Sequence, residues 1–512
     1  MLVVSDNWKA AHTEMLLPET FLEINCLISE PGLGDEANVS VTGAADYSNH
    51  ADLANSTQEI GSRYTTLEWN AWGLDGNTEY HTGNVQGYVG SIASRVNTDY
   101  VTNPTITLTF DSVHTTLIPG MTIYWSESFE EWAESFRITV YNGNSVVITT
   151  EITENTDIVS TVWFEFQNFD RIVVEVLKWC LPYRRTRILA VVVGIEAKYT
   201  KNDLLGYTHT QSVDLLSATL PKSEVVFQLD NSDDKWNPEN PSGVEKYLME
   251  RQEIRVRYGM RVEDTVEWLN AAKLWLSEWS TPANGIEARF TARDAVQFMS
   301  DVYTGPKRGT LLAIAEAALG QISLDGGSLE YVLDASLANY SADFADSTTQ
   351  YTVSNILQMV AHAACCVFYS DENGVIHIQP RGTSVTDYEI LPSVSYSHPE
   401  YTLSKPLKAV SVSYGGETTS VDAGSVGEIQ TVSNDLIASS EVATNVANTT
   451  IAVLENRKTI TGEYRADPRL EALDVVTVQN KYTTNQVVIT EIKYSTTGGA
   501  LRGTYTGRVL DQ

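Results

Sequence analysis

The chain has 512 residues, among them 34 Lys or Arg and 66 Asp or Glu, which gives a formal net charge of −32 at pH 7. A chain of this length is expected to hold about three or four domains with cores of their own. Its 11 Trp and 25 Tyr argue against disorder. The negative charge excludes a basic groove that holds nucleic acid through its phosphates, because such grooves need clustered Lys and Arg. Residues 1–170 are the most acidic part, with 4 Lys or Arg against 24 Asp or Glu.

The cysteines and the N-terminal run carry no targeting or redox signal. Cys26, Cys180, Cys365 and Cys366 show no CxxC spacing and are too few for a disulfide scaffold. The start, MLVVSDNWKAAHTEM, lacks the basic and apolar segments of a signal peptide, and no run of about 18 apolar residues occurs. We therefore expect a soluble protein that is made in the cytoplasm and has no membrane span.

The first long region predicts a β-sandwich. From Asn38 to Tyr199 short alternating segments are separated by turn residues such as Gly76-Asn77, a pattern typical of a sandwich or jelly roll. One alternating strand, from Thr20 to Ser29, precedes this region and cannot form a domain alone. Its partners are expected beyond Tyr199, where a second β-rich block begins. The sandwich is thus interpreted as an insertion into a second β domain.

Helical spacing follows the second block. Apolar residues recur at helical intervals from Thr310 to Gln321 and from Thr352 to Cys366. The second helix leads into a hairpin that turns at Asp371 to Gly374, so a small α+β domain is predicted. From Leu407 to Val509 the pattern is that of strands again, interrupted by a helix or loop from Ser439 to Leu454.

These changes of pattern give a mainly β, multi-domain fold class. The predicted limits are residues 1–30 for the first strand, 31–199 for the inserted sandwich, 200–305 for the rest of the first β domain, 306–400 for the α+β domain and 401–512 for the second β domain.

No sequence motif points to catalysis or metal binding. The eight His have neither i,i+4 nor HExxH spacing, and no nucleophile elbow, phosphate-binding loop or paired Cys/His arrangement occurs. Counted as a calcium loop from Asp230, the acidic string LDNSDDKWNPENP has Lys235 where Gly is needed and Pro241 where Glu is needed. We expect no enzyme activity, no catalytic or metal-binding residue and no cofactor. A carboxylate pair that meets only in space, as in glycoside hydrolases, stays open.

One acidic run near the C-terminus fits more than one kind of site. In YRADPRLEALDVVTVQN, from Tyr464 to Asn480, carboxylates crowd round Arg465 and Arg469, which fits acid/base chemistry, a metal site or a turn between strands. The pair Asp467-Pro468 favours a turn whose carboxylate bonds nearby backbone N–H groups. Arg465, Arg469 and Asp474 are therefore interpreted as interface or local ion-pair residues.

Two further groups of residues in the predicted sandwich, aromatic residues and arginines, each have two possible interpretations. Aromatic side chains there could stack on sugar rings or fill the core, and the candidates for glycan contact are Trp69, Trp72, Tyr88, Tyr100 and Trp125. The basic stretch KWCLPYRRTR interrupts the acidic region, and its arginines either dock an acidic neighbour or form a solvated loop. These arginines are Arg184, Arg185 and Arg187.

Several segments together resemble the baseplate hub, or tail-associated, proteins of long-tailed bacteriophages and phage-tail-like particles. The segments are SDNWKAAHTEMLLPETFLEINCLISEPGL, SATLPKSEVVFQLDNSDDKWNPENPSGVEKYLMERQEIRVRYGM, YTVSNILQMVAHAACCVFYSDENGVIHIQP and YRADPRLEALDVVTV with VVITEIKYSTTGGALRGTYTGR, in the order of that family. The chain departs from the family in Ala472-Leu473-Asp474, where a Gly usually precedes the aspartate. Residues 30–199 are similar in pattern to discoidin-like or carbohydrate-binding sandwiches.

The resemblance implies a structural role without an active site. Two tail-tube-like β-barrel domains per chain would give a trimer six such domains, adapting a sixfold tube to a threefold tip through which DNA passes without specific binding. Implied partners are the distal tail, tail tube and tape measure proteins and other baseplate or fibre subunits, with a host-surface polysaccharide for the sandwich. The implied location is the virion, after assembly in the host cytoplasm. Because the chain stops at Gln512, fibre and wall-cleaving functions are expected on other subunits. The alternative is a cell-wall or polysaccharide-active enzyme, or a carbohydrate-binding receptor-recognition protein.

Overall fold

The computed structural model of the protein describes residues 1–14, 18–54, 68, 87–127, 129–240, 242–262, 265–281, 285–324, 329–345, 347–382, 385–497 and 500–510. Strands dominate these residues, as the sequence predicted for a mainly β chain. The first elements are helix α1 (Asp6–Thr13), strand β1 (Thr20–Ile28) and the short helix α2 (Leu33–Glu36).

The region predicted as an insertion consists of two packed antiparallel sheets and a two-stranded pair. Its strands are β2 (Asn38–Thr42), β3 (Tyr88–Ala93), β4 (Thr105–His114), β5 (Ile118–Tyr124), β6 (Ala133–Asn142), β7 (Ser145–Ile152), β8 (Val159–Phe166), β9 (Phe169–Trp179), β10 (Arg185–Ile188) and β11 (Ala190–Val193). The sheets have the strand orders β2-β4-β9-β6-β7, β11-β5-β8 and β10-β3. Alternate residues of the two larger sheets fill one core, with Phe136, Trp125 and Ile172 fully buried. This arrangement is a β-sandwich.

The remaining strands build one large sheet and several small ones. They are β12 (Ile195–Thr200), β13 (Leu204–Ser212), β14 (Lys222–Asp230), β15 (Glu253–Val262), β16 (Thr265–Ser280), β17 (Glu287–Arg293), β18 (Arg308–Thr310), β19 (Tyr331–Leu333), β20 (Ser341–Asp343), β21 (Val367–Ser370), β22 (Ile376–Gln379), β23 (Val385–Ile390), β24 (Glu400–Leu403), β25 (Leu407–Tyr414), β26 (Glu417–Asp422), β27 (Glu428–Ser433), β28 (Lys458–Arg465), β29 (Val475–Gln479), β30 (Thr484–Thr497) and β31 (Ala500–Leu510). The helices among them are α3 (Leu311–Leu319), α4 (Val353–Ala363) and α5 (Ser440–Leu454), beside short 3-10 turns.

A 13-stranded sheet runs through both predicted β domains. Its main path is β12-β1-β15-β16-β17-β14-β13-β30-β31-β28-β24, and β29 and β23 branch from β30. We call the part from β12 to β13 the first half and the part from β30 to β24 the second half. The halves join where β13 pairs antiparallel with β30, from Tyr207 opposite Thr496 to Ser212 opposite Glu491. One core is shared across this joint, since Tyr258 of the first half packs edge-on against Tyr494 of the second.

The first strand finds its partners far along the chain. β1 lies between β12 and β15 and pairs antiparallel with both. The chain segments that enter and leave the sandwich therefore lie side by side. Ser29 donates a hydrogen bond from its hydroxyl to the Val193 carbonyl at 2.5 Å. A Cβ on Gly194, whose φ is +128°, would come within 2.7 Å of the Ile28 carbonyl oxygen, so glycine permits this close approach.

A separate core surrounds helices α3 and α4, which lie where the sequence predicted helices. Both helices begin at a threonine whose hydroxyl accepts from a backbone N–H, Thr310 for α3 and Thr352 for α4. The same core includes buried residues of β25 and α5, such as Val410 and Val446. Residues on both sides of the predicted limit at 400/401 thus pack together. The predicted domain limits themselves stay a prediction.

Candidate functional site

The acidic run near the C-terminus is a buried turn. β28 ends at Arg465 and β29 begins at Val475, and the connection carries an internal ion pair between Asp467 and Arg469. The Asp467 carboxylate, which is fully buried, accepts the backbone N–H of Arg469 at 3.1 Å and the Arg469 Nε at 3.0 Å. The Tyr494 hydroxyl donates to the Asp467 carbonyl at 2.8 Å. The carboxylate thus stabilises the turn, as the Asp-Pro pair suggested.

The N-terminal segment lies directly on this turn. Arg465 donates to the carbonyls of His12 at 2.6 Å and Glu14 at 2.9 Å, and the Leu2 N–H donates to the Arg469 carbonyl at 2.8 Å. We call the residues 1–14 and 464–474 together the clasp. Its polar groups come from chain segments more than 450 residues apart.

Helix α1 holds the clasp in place from the first half of the sheet. Ser5 begins the helix, because its hydroxyl accepts the N–H of Trp8 at 3.0 Å. The buried Trp8 packs in a small apolar cluster with Met260 and Leu269, which belong to β15 and β16. One side of the N-terminal segment therefore contacts the first half and the other side contacts the second half.

A histidine completes the buried centre of the clasp. The His12 ring lies 3.6 Å from the Asp467 carboxylate through Nδ1, and its Nε2 lies 3.0 Å from the Ala466 carbonyl. The Arg469 guanidinium stacks over the Tyr388 ring at 5.4 Å from its centroid. Asp467, Arg469 and His12 thus form a buried ion-pair network.

The N-terminal amine occupies the other end of the clasp. It lies 2.5 Å from an Asp474 carboxylate oxygen and 3.3 Å from a Glu471 carboxylate oxygen. Burial raises the pKa of Glu471 to about 7, although the nearby amine opposes this shift. Burial also raises the pKa of Asp474. Burial lowers the pKa of the Met1 amine, but the two carboxylates outweigh it and the pKa is raised.

Leu473, at a position where the resembled family usually has Gly, has an unusual backbone conformation. Leu473 has a φ of +80°, in the left-handed region that glycine adopts without a steric penalty. The Leu473 N–H donates to the Ile489 carbonyl at 2.8 Å, and its side chain packs beside Val475 and Val488. The backbone thus keeps a conformation suited to glycine, while the leucine gains apolar contacts.

The predicted interface arginines of the sandwich form an internal cluster. Arg184 and Arg187 are buried, and both lie beside the buried Glu131, with Arg187 at 3.9 Å and Arg184 in direct ion-pair contact. Arg187 also forms an ion pair with Glu68. Neither predicted alternative, an acidic neighbour or a solvated loop, describes these two side chains, because the carboxylates that neutralise them come from the same chain.

Two aromatic contacts complete this cluster, and the third arginine lies at its edge. The Trp179 indole N–H donates to Glu131 at 2.7 Å, and the Arg187 guanidinium lies 3.9 Å from the Phe129 ring centroid. Arg185 is partly exposed and donates to the Tyr47 hydroxyl at 3.1 Å. Arg185 is therefore the member of the three that retains access to solvent.

The aromatic candidates for glycan contact that the structure describes are buried. Trp125 is fully buried and its indole N–H donates to the Ser160 hydroxyl at 2.7 Å. Tyr88 and Tyr100 are also buried, and the Tyr100 hydroxyl accepts from Thr186 at 2.6 Å. A buried ring offers no face to a sugar, so the glycan hypothesis does not extend to these three. Trp69 and Trp72 lie outside the described residues.

Several residues that the sequence did not single out are central to these clusters. His12, the Met1 amine, Glu131 and Glu68 each contact a charged partner that is distant in sequence. No local spacing connects these residues with the arginines and carboxylates they meet. Within the described ranges, no group of His, Cys, Asp and Glu side chains is arranged to hold a metal ion. No helix in those ranges is long and apolar enough to cross a membrane.

The chain was compared with known proteins. No family model matches the sequence, and no curated protein matches it. Among solved structures, a tail protein from Neisseria meningitidis MC58 is similar at 11% identity, over 62% of this chain and 94% of that one, with a TM-score of 0.46. The 43 kDa tail protein of prophage MuSo2 from Shewanella oneidensis is similar at 11% identity, over 61% and 94%, with a TM-score of 0.43. The baseplate of phage P2 is similar at 10% identity, over 64% and 92%, with a TM-score of 0.26. These three solved structures are of tail or baseplate proteins.

Proposed function

We propose that this protein is a structural hub of a phage tail tip or baseplate, and that three copies form a ring. The observation that carries the proposal is the edge-to-edge joint of the two halves through β13 and β30. A chain with two β halves side by side in one sheet provides two neighbouring units of a ring, and three such chains provide six. Three of the four sequence segments that resemble hub proteins contribute strands of the two halves, and the remaining one forms α4, β21 and β22. The ring would adapt a sixfold tube to a threefold tip.

The mass of the purified protein tests the ring. We expect a particle with three times the mass of the chain, and electron images of tails in which a label on this subunit marks the tip. A stable monomer that is missing from particles would refute the proposal. Asp474→Ala should weaken folding or assembly, because it removes the nearer of the two carboxylates beside the Met1 amine.

We also propose that the ring lets DNA pass without specific binding. Basic side chains on the solvent face of the first half are held by glutamates on neighbouring strands, which supports this proposal. Arg257 donates to Glu23 at 2.9 Å, and Arg293 lies 3.0 Å from Glu224. Cations paired in this way are less available to phosphates. Residues facing the bore are predicted to be net acidic or neutral, and a ring of Lys and Arg lining it would contradict this.

DNA binding by purified protein tests the charge pairing. Fluorescence anisotropy with a short duplex at low salt should show no binding for the native protein. The double variant Glu23→Gln/Glu224→Gln should gain weak binding that disappears as salt is added. Strong binding by the native protein would contradict a passage without specific contacts.

For the inserted sandwich we propose contact with baseplate partners or with host-surface glycans. Experiments distinguish these two roles from each other and from the alternative that the protein is an enzyme. A glycan array distinguishes a lectin from a docking module, and incubation with host cell walls reports enzymatic release of sugars. We expect no released sugar, since arginines pair with Glu131 and Asp467, and the Met1 amine pairs with Glu471 and Asp474.

A further inference from the structure

The two ends of the 13-stranded sheet differ in how their outer backbone groups are satisfied. At the β12 end, the Glu196 N–H donates to the Thr122 hydroxyl at 3.1 Å, and the Thr200 N–H donates to the Asp203 carboxylate at 2.7 Å. Thr122 belongs to β5 of the sandwich. The insertion and a local turn therefore cover this edge, which is one way that proteins protect an exposed strand.

The β24 end is open. Among the described residues β24 pairs with β28 alone. The Ser404 N–H donates to the Arg457 carbonyl at 2.9 Å, and hydrogen bonding alternates along an antiparallel pair. The N–H groups of Tyr401 and Leu403 therefore point away from β28. Their side chains are 41% and 66% exposed, so this edge offers both backbone and apolar groups to another chain.

The joint inside the chain suggests which surfaces meet between chains. β13 and β30 join the first half to the second half within one copy. A ring that continues this alternation must bring the β24 end of one copy to the β12 end of the next. The β12 end is where the sandwich sits, since β5 and β8 both contact β12. A neighbouring copy would consequently meet the sandwich as well as the sheet.

The sandwich presents an apolar row beside the β12 end. On the outer face of β8, Val159 is 42% exposed and Trp163 is 53% exposed. The next outward residue, Glu165, forms an ion pair with Lys246 at 2.8 Å, which fixes β8 beside the first half of the sheet. Apolar side chains that project together from one strand lose water-exposed area when another chain covers them.

We propose that the open edge at β24 is occupied by a second copy of this chain, and that it meets the Val159 and Trp163 row of that copy's sandwich. The inference rests on the proposed ring and adds that the insertion forms part of the joint between copies. Tyr401 and Leu403 supply apolar groups from one side, and the β8 row supplies them from the other. Removal of the sandwich contact should therefore weaken the ring itself.

Engineered cysteines test this contact in the full chain. Leu403→Cys and Thr161→Cys place thiols at exposed positions of β24 and β8, on the faces proposed to meet. With a short bismaleimide, the double variant should give covalent dimers and trimers, whereas each single variant should stay at the level of the native protein. A control pair of Thr161→Cys with Gln430→Cys, on the exposed strand β27, should give no product. Products from Leu403→Cys alone would mean that two β24 strands pair with each other, which would overturn the inference.

A charged edge provides a second test. Leu403→Lys should weaken association at least tenfold in sedimentation experiments, because a lysine on an edge strand opposes pairing. Ile429→Lys, on the exposed strand β27, is the control and should associate as the native protein does. If the native protein and Leu403→Lys are both trimeric and the cysteine pair gives no product, this contact is refuted. The proposed ring is not refuted by that result. Native protein that is monomeric in solution and absent from particles would refute the ring.

Discussion

The sandwich cluster and the clasp are built from the same chemistry but connect very different parts of the chain. In the sandwich, Arg187 and Glu131 lie 56 positions apart and serve one core. In the clasp, Arg465 reaches His12 across 453 positions and ties the N-terminal segment to the second half. The first cluster stabilises an inserted unit, whereas the second couples the two halves of the sheet. Buried arginines here therefore form ion pairs within the chain. The sequence separation of the partners shows whether a pair stabilises one core or joins distant segments.

Arg187→Met should give the largest effect on stability and should confine it to the sandwich. The change leaves Glu131 and Glu68 buried with less positive charge, which costs about 3–5 kcal/mol. Hydrogen exchange should rise in β4, β6 and β9 while the large sheet stays protected. Arg137→Met is the control, because the partly exposed Arg137 pairs with Glu151 and Glu175 and should cost less than about 1 kcal/mol. Equal loss of protection in both regions would contradict the local role of the cluster.

Asp467→Asn should have the next largest effect and should act on both halves. The variant keeps the shape of the side chain but leaves Arg469 without its buried counter-charge, at a cost of about 2–3 kcal/mol. Exchange should increase in α1 and β28 together, since Arg465 and the backbone of this turn hold the N-terminal segment. Asp6→Asn makes the same chemical change at an exposed position of α1 and should leave exchange unaltered. Faster exchange in the sandwich would argue against the separation of the two clusters.

Glu471→Gln should change how the stability of the clasp depends on pH. The pKa of Glu471 is raised to about 7 in the folded protein, so the folded state binds its proton more tightly than the unfolded state. Its contribution is present below the unfolded pKa and is lost as pH rises through about 7. The variant should match the native protein at pH 4 and be more stable than the native protein at pH 8, as measured by denaturant unfolding. The same difference at both values of pH would show that the carboxyl does not titrate.

Leu473→Gly and Leu473→Ala should give the smallest effect, and the order of their stabilities is the test. Both variants lose the leucine contacts, but only glycine relieves a φ of +80°. Glycine should therefore be about 1 kcal/mol more stable than alanine at this position. At Leu216, which packs against the same cluster at an ordinary φ, alanine should be the more stable. An advantage for alanine at both positions would refute the strain at Leu473.

Two buried histidines, His209 and His362, make the stability of the protein sensitive to acid. Burial lowers the pKa of His209, in the joint of the two halves, to about 4. Burial also lowers the pKa of His362, on α4, to about 4. Because the unfolded chain takes up these protons near pH 6.5, stability is lost as pH falls from about 6.5 towards 4.

The sequence by itself determined the kinds of element and their order. Alternation predicted the strands of the sandwich and of both halves, and helical spacing predicted α3 and α4, because these patterns reflect which side of each element faces a core. The order of four segments carries the resemblance to phage tail proteins. Asp467-Pro468 indicated the turn, since local carboxylate bonding needs only neighbouring residues.

Only the tertiary structure decided which of the charged and aromatic residues are accessible. Arg184, Arg187 and Arg469 are in the core because Glu131, Glu68 and Asp467 neutralise them there. Tyr100 and Trp125 are in the core because the two sheets pack face to face. The clasp could not be foreseen, since Met1 and His12 meet residues more than 450 positions away. Contacts of that separation follow from how the sheet brings distant strands together, and no local pattern in the sequence encodes them.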